Sequence, residues 1–223
     1  PIIGIPREFI KEGVDPVEQL NFEESDEKLK SLGYAVQEIE LPYAKYAVPA
    51  YYIVTPAEIS ANLARFDGLR YGYNALGENL KEVYMKSRGE GFGKEVRRRI
   101  LLGTYVLSHG YHDAYYNKAN TVRKLIVNDY NKAFEKVDLI LTPTTTGPAF
   151  KIGEKVNDPV KMYLEDIFTG PANMAGLPAI SIPSGFALVE GKKLPLGIQF
   201  LAPHGGEEIF FEIGKRLEIS KVE

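Results

Sequence analysis

Cysteine and tryptophan are absent from these 223 residues, and histidine and methionine occur only three times each. Without cysteine there is no disulfide and no thiolate metal site, which fits a reducing compartment. No apolar run approaches the ~18 residues that a membrane-spanning helix needs, and no signal peptide is visible. A strong charge of one sign is missing too. The net charge is −3 and the pI near 5.8, so the chain as a whole exerts no pull on nucleic acid. A glycine-rich nucleophile loop is also absent. Ser25, Ser31, Ser60, Ser87, Ser108, Ser181, Ser184 and Ser220 are scattered, none in a setting that activates a hydroxyl. The Gly-Glu-Gly-Phe-Gly stretch at 89–93 follows no strand and precedes no Lys-Ser or Lys-Thr, which argues against a phosphate loop.

What remains has the balance of an ordinary globular chain, 44% hydrophobic and 26% charged, and is long enough for a full core. No repeat or flexible linker divides it, so one compact unit over 1–223 is expected. Strands are expected at 2–5 and 35–41. Between them Asp15-Pro16 reads as a cap and N1 proline opening a helix to about Leu32, stopped by Gly33, with Leu20, Phe22, Leu29 and Leu32 buried. The stretch 49–93 is richer in Gly, Tyr and Asn, with helices at 56–63 and 80–87. A helix over 94–108 buries Val96, Ile100, Leu101 and Leu107, and Gly110 breaks it. The cleanest helical stripe runs through 112–136 on Tyr115, Ala119, Val122, Ile126, Tyr130 and Ala133. Further strands are expected at 137–141, 179–182 and 196–201, the first two apolar on both faces, and a closing helix at 207–217. Strands alternating with helices make an α/β layered sheet.

The run 168–186, FTGPANMAGLPAISIPSGF, is the most informative stretch. Ala172, Ala175, Gly176 and Ala179 suit a helix end pressed against a sheet, or backbone approaching a ligand. Ala179–Ile182 reads as a very short buried strand closed by a tight Pro-Ser-Gly turn. Just ahead, Asp158-Pro159 is expected to open a helix to about Phe168. That puts Glu165 and Asp166 in its last turn, where the dipole disfavours anions. One of them, Asp166 facing a cleft with Glu165 outward, is a candidate cation ligand. Among Arg97-Arg98-Arg99 a helical step of 100° lets at most one or two point inward. Arg99, beside Ile100 and three residues after Val96, is the best placed to grip a carboxylate, with Arg98 one register away. Arg97–Arg99 and the line Lys118, Arg123, Lys124, Lys132 otherwise read as solvated faces. His109 and His112, broken by Gly110 and without a third ligand, read as structural rather than metal-binding. His204 reads as surface, and Thr-Pro-Thr-Thr-Thr at 142–146 as a strand exit.

The 168–186 run resembles the C-terminal part of the amidase signature family, whose members hydrolyse carboxamides with a Ser–cis-Ser–Lys triad. Three further stretches carry the likeness: YYIVTPAEISANLARFDGLRYGY from Tyr51, EGFGKEVRRRILLGTYVLSHGYHDAYYNKA from Glu90, and VDLILTPTTTGPAF from Val137. The first two are those of a glutaminase branch that serves tRNA-dependent amidation. The resemblance implies a mixed central sheet flanked by helices on both faces, of which residues 1–223 form the C-terminal portion, with the catalytic triad upstream. It implies no catalytic residue and no cofactor in this chain. Arg99 matches the position that grips glutamine's α-carboxylate, Asp166 the one that binds its α-ammonium, and Tyr51 a tyrosine lining the same pocket. The implied partners are a B-type transferase/kinase subunit, which uses ATP and Mg, and a small C-type subunit. Contact with tRNA is only indirect. The expected location is the cytoplasm, with an organelle left open. Two alternatives stand beside this: a stand-alone amidase of the same family, and a non-catalytic assembly module.

Overall fold

The structure is a computed structural model and describes residues 1–11, 13–154 and 159–219. The chain forms two compact units, one of residues 1–48 with 122–223 and one of residues 49–121.

The first unit is built on a five-stranded sheet of order β2-β1-β3-β5-β4. Its strands are β1 (Ile2–Ile5), β2 (Ala35–Glu38), β3 (Leu139–Pro143), β4 (Ala179–Val189) and β5 (Lys192–Leu201). β1 pairs in parallel with β2 and β3, while β5 runs antiparallel to β3 and β4, so the sheet is mixed as expected. A short helix α1 (Arg7–Ile10) follows β1, and α2 (Pro16–Ser31) then crosses to β2. Asp15 caps α2, its Oδ1 accepting from the Val17 amide at 2.9 Å, and Gly33 ends it with φ 87°. Ile3, Ile5, Leu139, Leu141, Ile198 and Phe200 form the sheet side of the core. Phe22 and Leu29 of α2, and Phe210, Ile213 and Leu217 of the closing helix α9 (Glu207–Ile219), pack on it. Every residue of β3 is buried, so both of its faces are covered.

Several expectations are corrected. β2 stops at Glu38, although the Ile39 amide still donates to the Ile5 carbonyl at 3.1 Å. Leu20 is 55% exposed, and buried polar side chains share the inner face of α2 instead. β4 is neither short nor buried on both faces. It is an eleven-residue edge strand in which Ala179 and Ser181 are exposed. Pro183-Ser184-Gly185 does not turn the chain; it makes a bulge in the β4–β5 ladder. The actual hairpin turn is Glu190-Gly191, with φ of 51° and 77°, which lets β5 begin at Lys192 rather than 196.

At the bulge, Asn21 Nδ2 donates to Ser184 Oγ at 2.8 Å and to Glu18 Oε1 at 3.2 Å. A Cβ on Gly185 would stand 2.7 Å from Asn21 Oδ1, so a side chain there would force the Asn21 amide to shift. Glu18 is fully buried, and its Oε2 has no hydrogen-bond partner among the described residues. Burial pushes its carboxyl up to about 7, opposed by the Asn21 hydrogen bond and helped slightly by Asp15.

The second unit holds most of α3 (Ala47–Leu63), then α4 (Leu80–Gly91) and α5 (Lys94–Val106), and reaches the start of α6 (Lys118–Phe134). α3 starts nine residues before the expected 56, because Pro56 sits inside the helix. α5 presses on α3 so closely that a Cβ on Gly103 would stand 1.9 Å from the Pro56 carbonyl oxygen. Leu101, expected inside, is 72% exposed. The expected helix over 112–136 is two pieces, a π-helical stretch His112–Asn117 and then α6. Tyr115 therefore leaves the stripe and is exposed, stacked on Tyr111.

Candidate functional site

Two of the three expected site residues, Tyr51 and Arg99, come together in the second unit. Gly93 caps α5 without a side-chain bond, and Glu95 lies in the first turn, where the helix dipole favours an anion. Arg98 and Arg99, three and four residues later, reach back to it. Arg98 donates from Nε to Oε2 at 2.8 Å and from Nη2 to Oε1 at 2.7 Å; Arg99 donates from Nε to Oε1 at 2.8 Å. Hydrogen bonds from Arg98 and then Arg99 hold the Glu95 carboxyl down at about 2. The Arg99 guanidinium is itself raised above its ordinary value, chiefly by Glu95 and further by a hydrogen bond to Tyr51, with burial opposing. The Tyr51 ring meets Tyr52 edge to face at 5.3 Å. Exposure separates the two arginines, 29% for the Arg99 side chain against 47% for Arg98. A planar guanidinium matches a carboxylate, and the one Arg99 holds is that of Glu95. Glu95 was missed by sequence reasoning, although its spacing to both arginines is a visible signal.

Asp166 stands in the first unit. The helix expected to reach Phe168 ends sooner: α7 (Pro159–Leu164) gives way to i→i+3 bonds from the amides of Glu165, Asp166 and Ile167. These tighter turns advance the chain by about 120° per residue instead of about 100°. Along this stretch Glu165 is half-buried and Asp166 exposed. Glu165 lines an open cavity of about 1170 Å³ together with Asp15, Thr146, Lys151, Leu164 and Lys192. The expected cap Asp158 lies outside the described residues. The Asp166 carbonyl accepts the Gly170 amide at 2.7 Å, leading into α8 (Thr169–Ala175), which Gly176 ends with φ 72°. Gly170, Pro171, Ala172, Met174 and Ala175 are all buried. Buried Gln199, also missed, ties α8 to the sheet by donating to Thr142 Oγ1 at 2.9 Å and the Phe168 carbonyl at 3.0 Å. Arg123 adds a bond from Nε to the Met174 carbonyl at 2.9 Å.

The hydroxyls are engaged in the fold. Ser25, Ser31, Ser60 and Ser108 donate to carbonyls of their own helices or turns, and Ser87 accepts from the Ala75 amide. Ser184 is held by Asn21, and Ser181 pairs with Thr144 at 2.8 Å. None of these serines bonds to a lysine among the described residues. His109 and His204 are exposed, and His112 Nδ1 lies 3.2 Å from Asp113 Oδ1. Among the described residues no group of three or more His, Asp or Glu side chains is arranged to hold a metal, and no helix is long and apolar enough to cross a membrane.

Known proteins share this architecture. The amidase family profile matches residues 2–210. The A-type subunit of the glutamyl-tRNA(Gln) amidotransferase of Pelagibacter ubique is 54% identical over 97% of this chain and 44% of its own length. Its counterpart from Thermodesulfovibrio yellowstonii is 55% identical over 89% of this chain and 40% of its own length. Among solved structures, the same subunit from Thermotoga maritima is 40% identical, with a TM-score of 0.64 over 91% of this chain and 38% of that one. An amidase crystal structure at 24% identity shares the fold, with a TM-score of 0.72 over 99% of this chain and 45% of that one. The chain spans less than half the length of these curated relatives. Over that span, by sequence and by fold, it belongs to the amidase signature family.

Proposed function

We propose that this chain is the substrate-orienting portion of the glutaminase subunit of a tRNA-dependent amidotransferase. In this reading a serine of the upstream triad attacks the side-chain carboxamide carbon of glutamine. The C–N bond breaks, ammonia leaves with the transferred proton, and water then releases glutamate from the seryl ester. Ammonia passes to the B-type transferase/kinase partner, which uses ATP and Mg to activate Glu-tRNA(Gln) or Asp-tRNA(Asn). The small C-type partner completes a cytoplasmic complex, and tRNA touches this chain only indirectly.

The residues of this chain bind and orient. Arg99 takes the α-carboxylate of glutamine, Asp166 its α-ammonium, and Tyr51 lines the pocket beside Arg99. Holding both ends of the amino acid sets the carboxamide at the nucleophile, so that binding at the charged end lowers the barrier at the other. The observation that carries this is the Arg99 guanidinium, half-buried, paired to Glu95 and facing Tyr51. A carboxylate site of this kind favours a zwitterionic amide over a simple one, hence a glutaminase over a general amidase.

The test is glutamine hydrolysis by the full-length glutaminase subunit in its complex. Arg99→Ala and Asp166→Ala should each raise the glutamine KM by roughly 30-fold or more, since leaving one charge of the bound zwitterion without its partner costs about 2–5 kcal/mol. A neutral amide lacking the α-substituents should be affected far less. Equal losses for both substrates would assign these residues to the fold and end the reading. The chain alone should release no ammonia from glutamine.

A further inference from the structure

Arg98, Glu95 and Arg99 share one carboxylate, but they do not share it equally. Arg98 takes both oxygens, a bidentate grip that fixes the plane of the Glu95 carboxylate. Arg99 takes only Oε1, and only through Nε. This is the edge of the guanidinium that faces back along its own helix, so the bond fixes the guanidinium plane without occupying both Nη groups. Glu95 is tied to the first turn of α5, whose backbone is set by Gly93 and by the bond from the Arg97 amide to the Gly93 carbonyl at 3.1 Å. Arg98 therefore orients Glu95, and Glu95 orients Arg99.

A free arginine side chain has four flexible torsions, and ordering them costs binding energy that a ligand must otherwise supply. A carboxylate that has already frozen the guanidinium removes the penalty, and because it takes only Nε it leaves the remaining N–H groups for Tyr51 and a second carboxylate. Glu95 also keeps its charge across the whole working range, because the two arginines hold its carboxyl at about 2.

Resting on the glutaminase reading above, we infer that Glu95 is a positioning residue for glutamine. It presents the Arg99 fork to the α-carboxylate of the substrate and so contributes to the choice of an α-amino acid over a simple amide. Glu95 touches neither the substrate nor the reacting carboxamide. Its effect belongs in KM for the zwitterion and not in kcat.

The experiment compares Glu95→Ala, Glu95→Gln, Arg99→Ala and the Glu95→Ala/Arg99→Ala double variant in the full-length glutaminase subunit within its complex. Each is assayed for ammonia release from glutamine and from butyramide, which has no α-carboxylate. Glu95→Ala should raise the glutamine KM about tenfold, the loss of one charge-assisted orienting bond, with kcat within about twofold of the parent. Glu95→Gln, whose amide oxygen still accepts from Arg99 Nε, should fall between. Butyramide kinetics should be unchanged in both, and on the Arg99→Ala background Glu95→Ala should add nothing. A glutamine KM that Glu95→Ala leaves unchanged while Arg99→Ala raises it would overturn the inference and spare the glutaminase reading. Equal losses on butyramide, or full additivity with Arg99→Ala, would also overturn it by assigning Glu95 to helix stability. A parental KM in Arg99→Ala would bring down the underlying reading and this inference with it.

Discussion

Glu18→Gln replaces a buried titrating carboxyl whose pH-dependent cost can be worked from the structure. The folded carboxyl titrates near 7 against 4.5 for the free side chain, a gap of about 2.5. Between those two pH values the folded chain keeps a proton that the unfolded chain has released. Stability therefore falls as pH rises through that window and levels off above 7. At 1.36 kcal/mol for each pH unit the loss comes to about 3 kcal/mol. The glutamine variant would be neutral throughout at this position, and its amide oxygen can accept from Asn21 as the carboxylate does. The difference in unfolding free energy between variant and parent should then widen by about 3 kcal/mol in favour of the variant from about pH 4.5 to about pH 8. Every other titrating group cancels in that difference. Urea unfolding followed by far-ultraviolet circular dichroism at the two pH values measures it directly. A gap that stays constant within about 0.5 kcal/mol, the scatter of neutral surface changes, would refute the assignment of Glu18 as a buried, nearly neutral carboxyl.

Glu95 should behave in the opposite sense. Its folded value of about 2 lies below the 4.5 of the free side chain, so its ion pairs are intact above that pH and lost as pH falls toward 2; carbon-13 NMR of its carboxyl should give the lower midpoint. Arg98→Ala should move the midpoint upward, because Arg98 makes the larger contribution, and an unmoved midpoint would mean that the bidentate pair is not formed in solution. Gly103→Ala should destabilise the second unit by about 1–3 kcal/mol through overpacking, seen as a lower thermal midpoint, and a parental midpoint would contradict the close α3–α5 contact.

Local signals with a strict steric or capping cause were legible in the sequence. Asp15-Pro16 opens α2 and Gly33 closes it at the expected places, because a side-chain cap and a positive φ leave few choices. Ile2–Ile5 and the buried strand after Val137 were equally plain. Signals that depend on what lies alongside were not. Pro183-Ser184-Gly185 reads as a turn in isolation, yet partnered by β5 it becomes a bulge and the strand continues to Val189. Pro56 reads as a helix start, yet α3 runs through it. At the site, the lower exposure of Arg99 agrees with the helical step, while the half-burial of Glu165 and exposure of Asp166 arise where α7 gives way to tight turns that no periodicity announces.

The contact between Gly103 and Pro56 sets a dimension as well as a packing density. Arg99 lies one helical turn before Gly103, and Tyr51 a little more than one turn before Pro56, so the paired side chains stand about a turn from the close approach. One turn is about 5.4 Å, too short for either helix to bend appreciably between the two pairs. The spacing of the two helices next to the Tyr51–Arg99 pair is therefore set by a backbone oxygen meeting a position that has no side chain. Neither partner has a rotamer to change. Tyr51 and Arg99 thus sit one turn from a contact in which neither partner can give way, and a side chain at position 103 would shift the helix that carries Arg99.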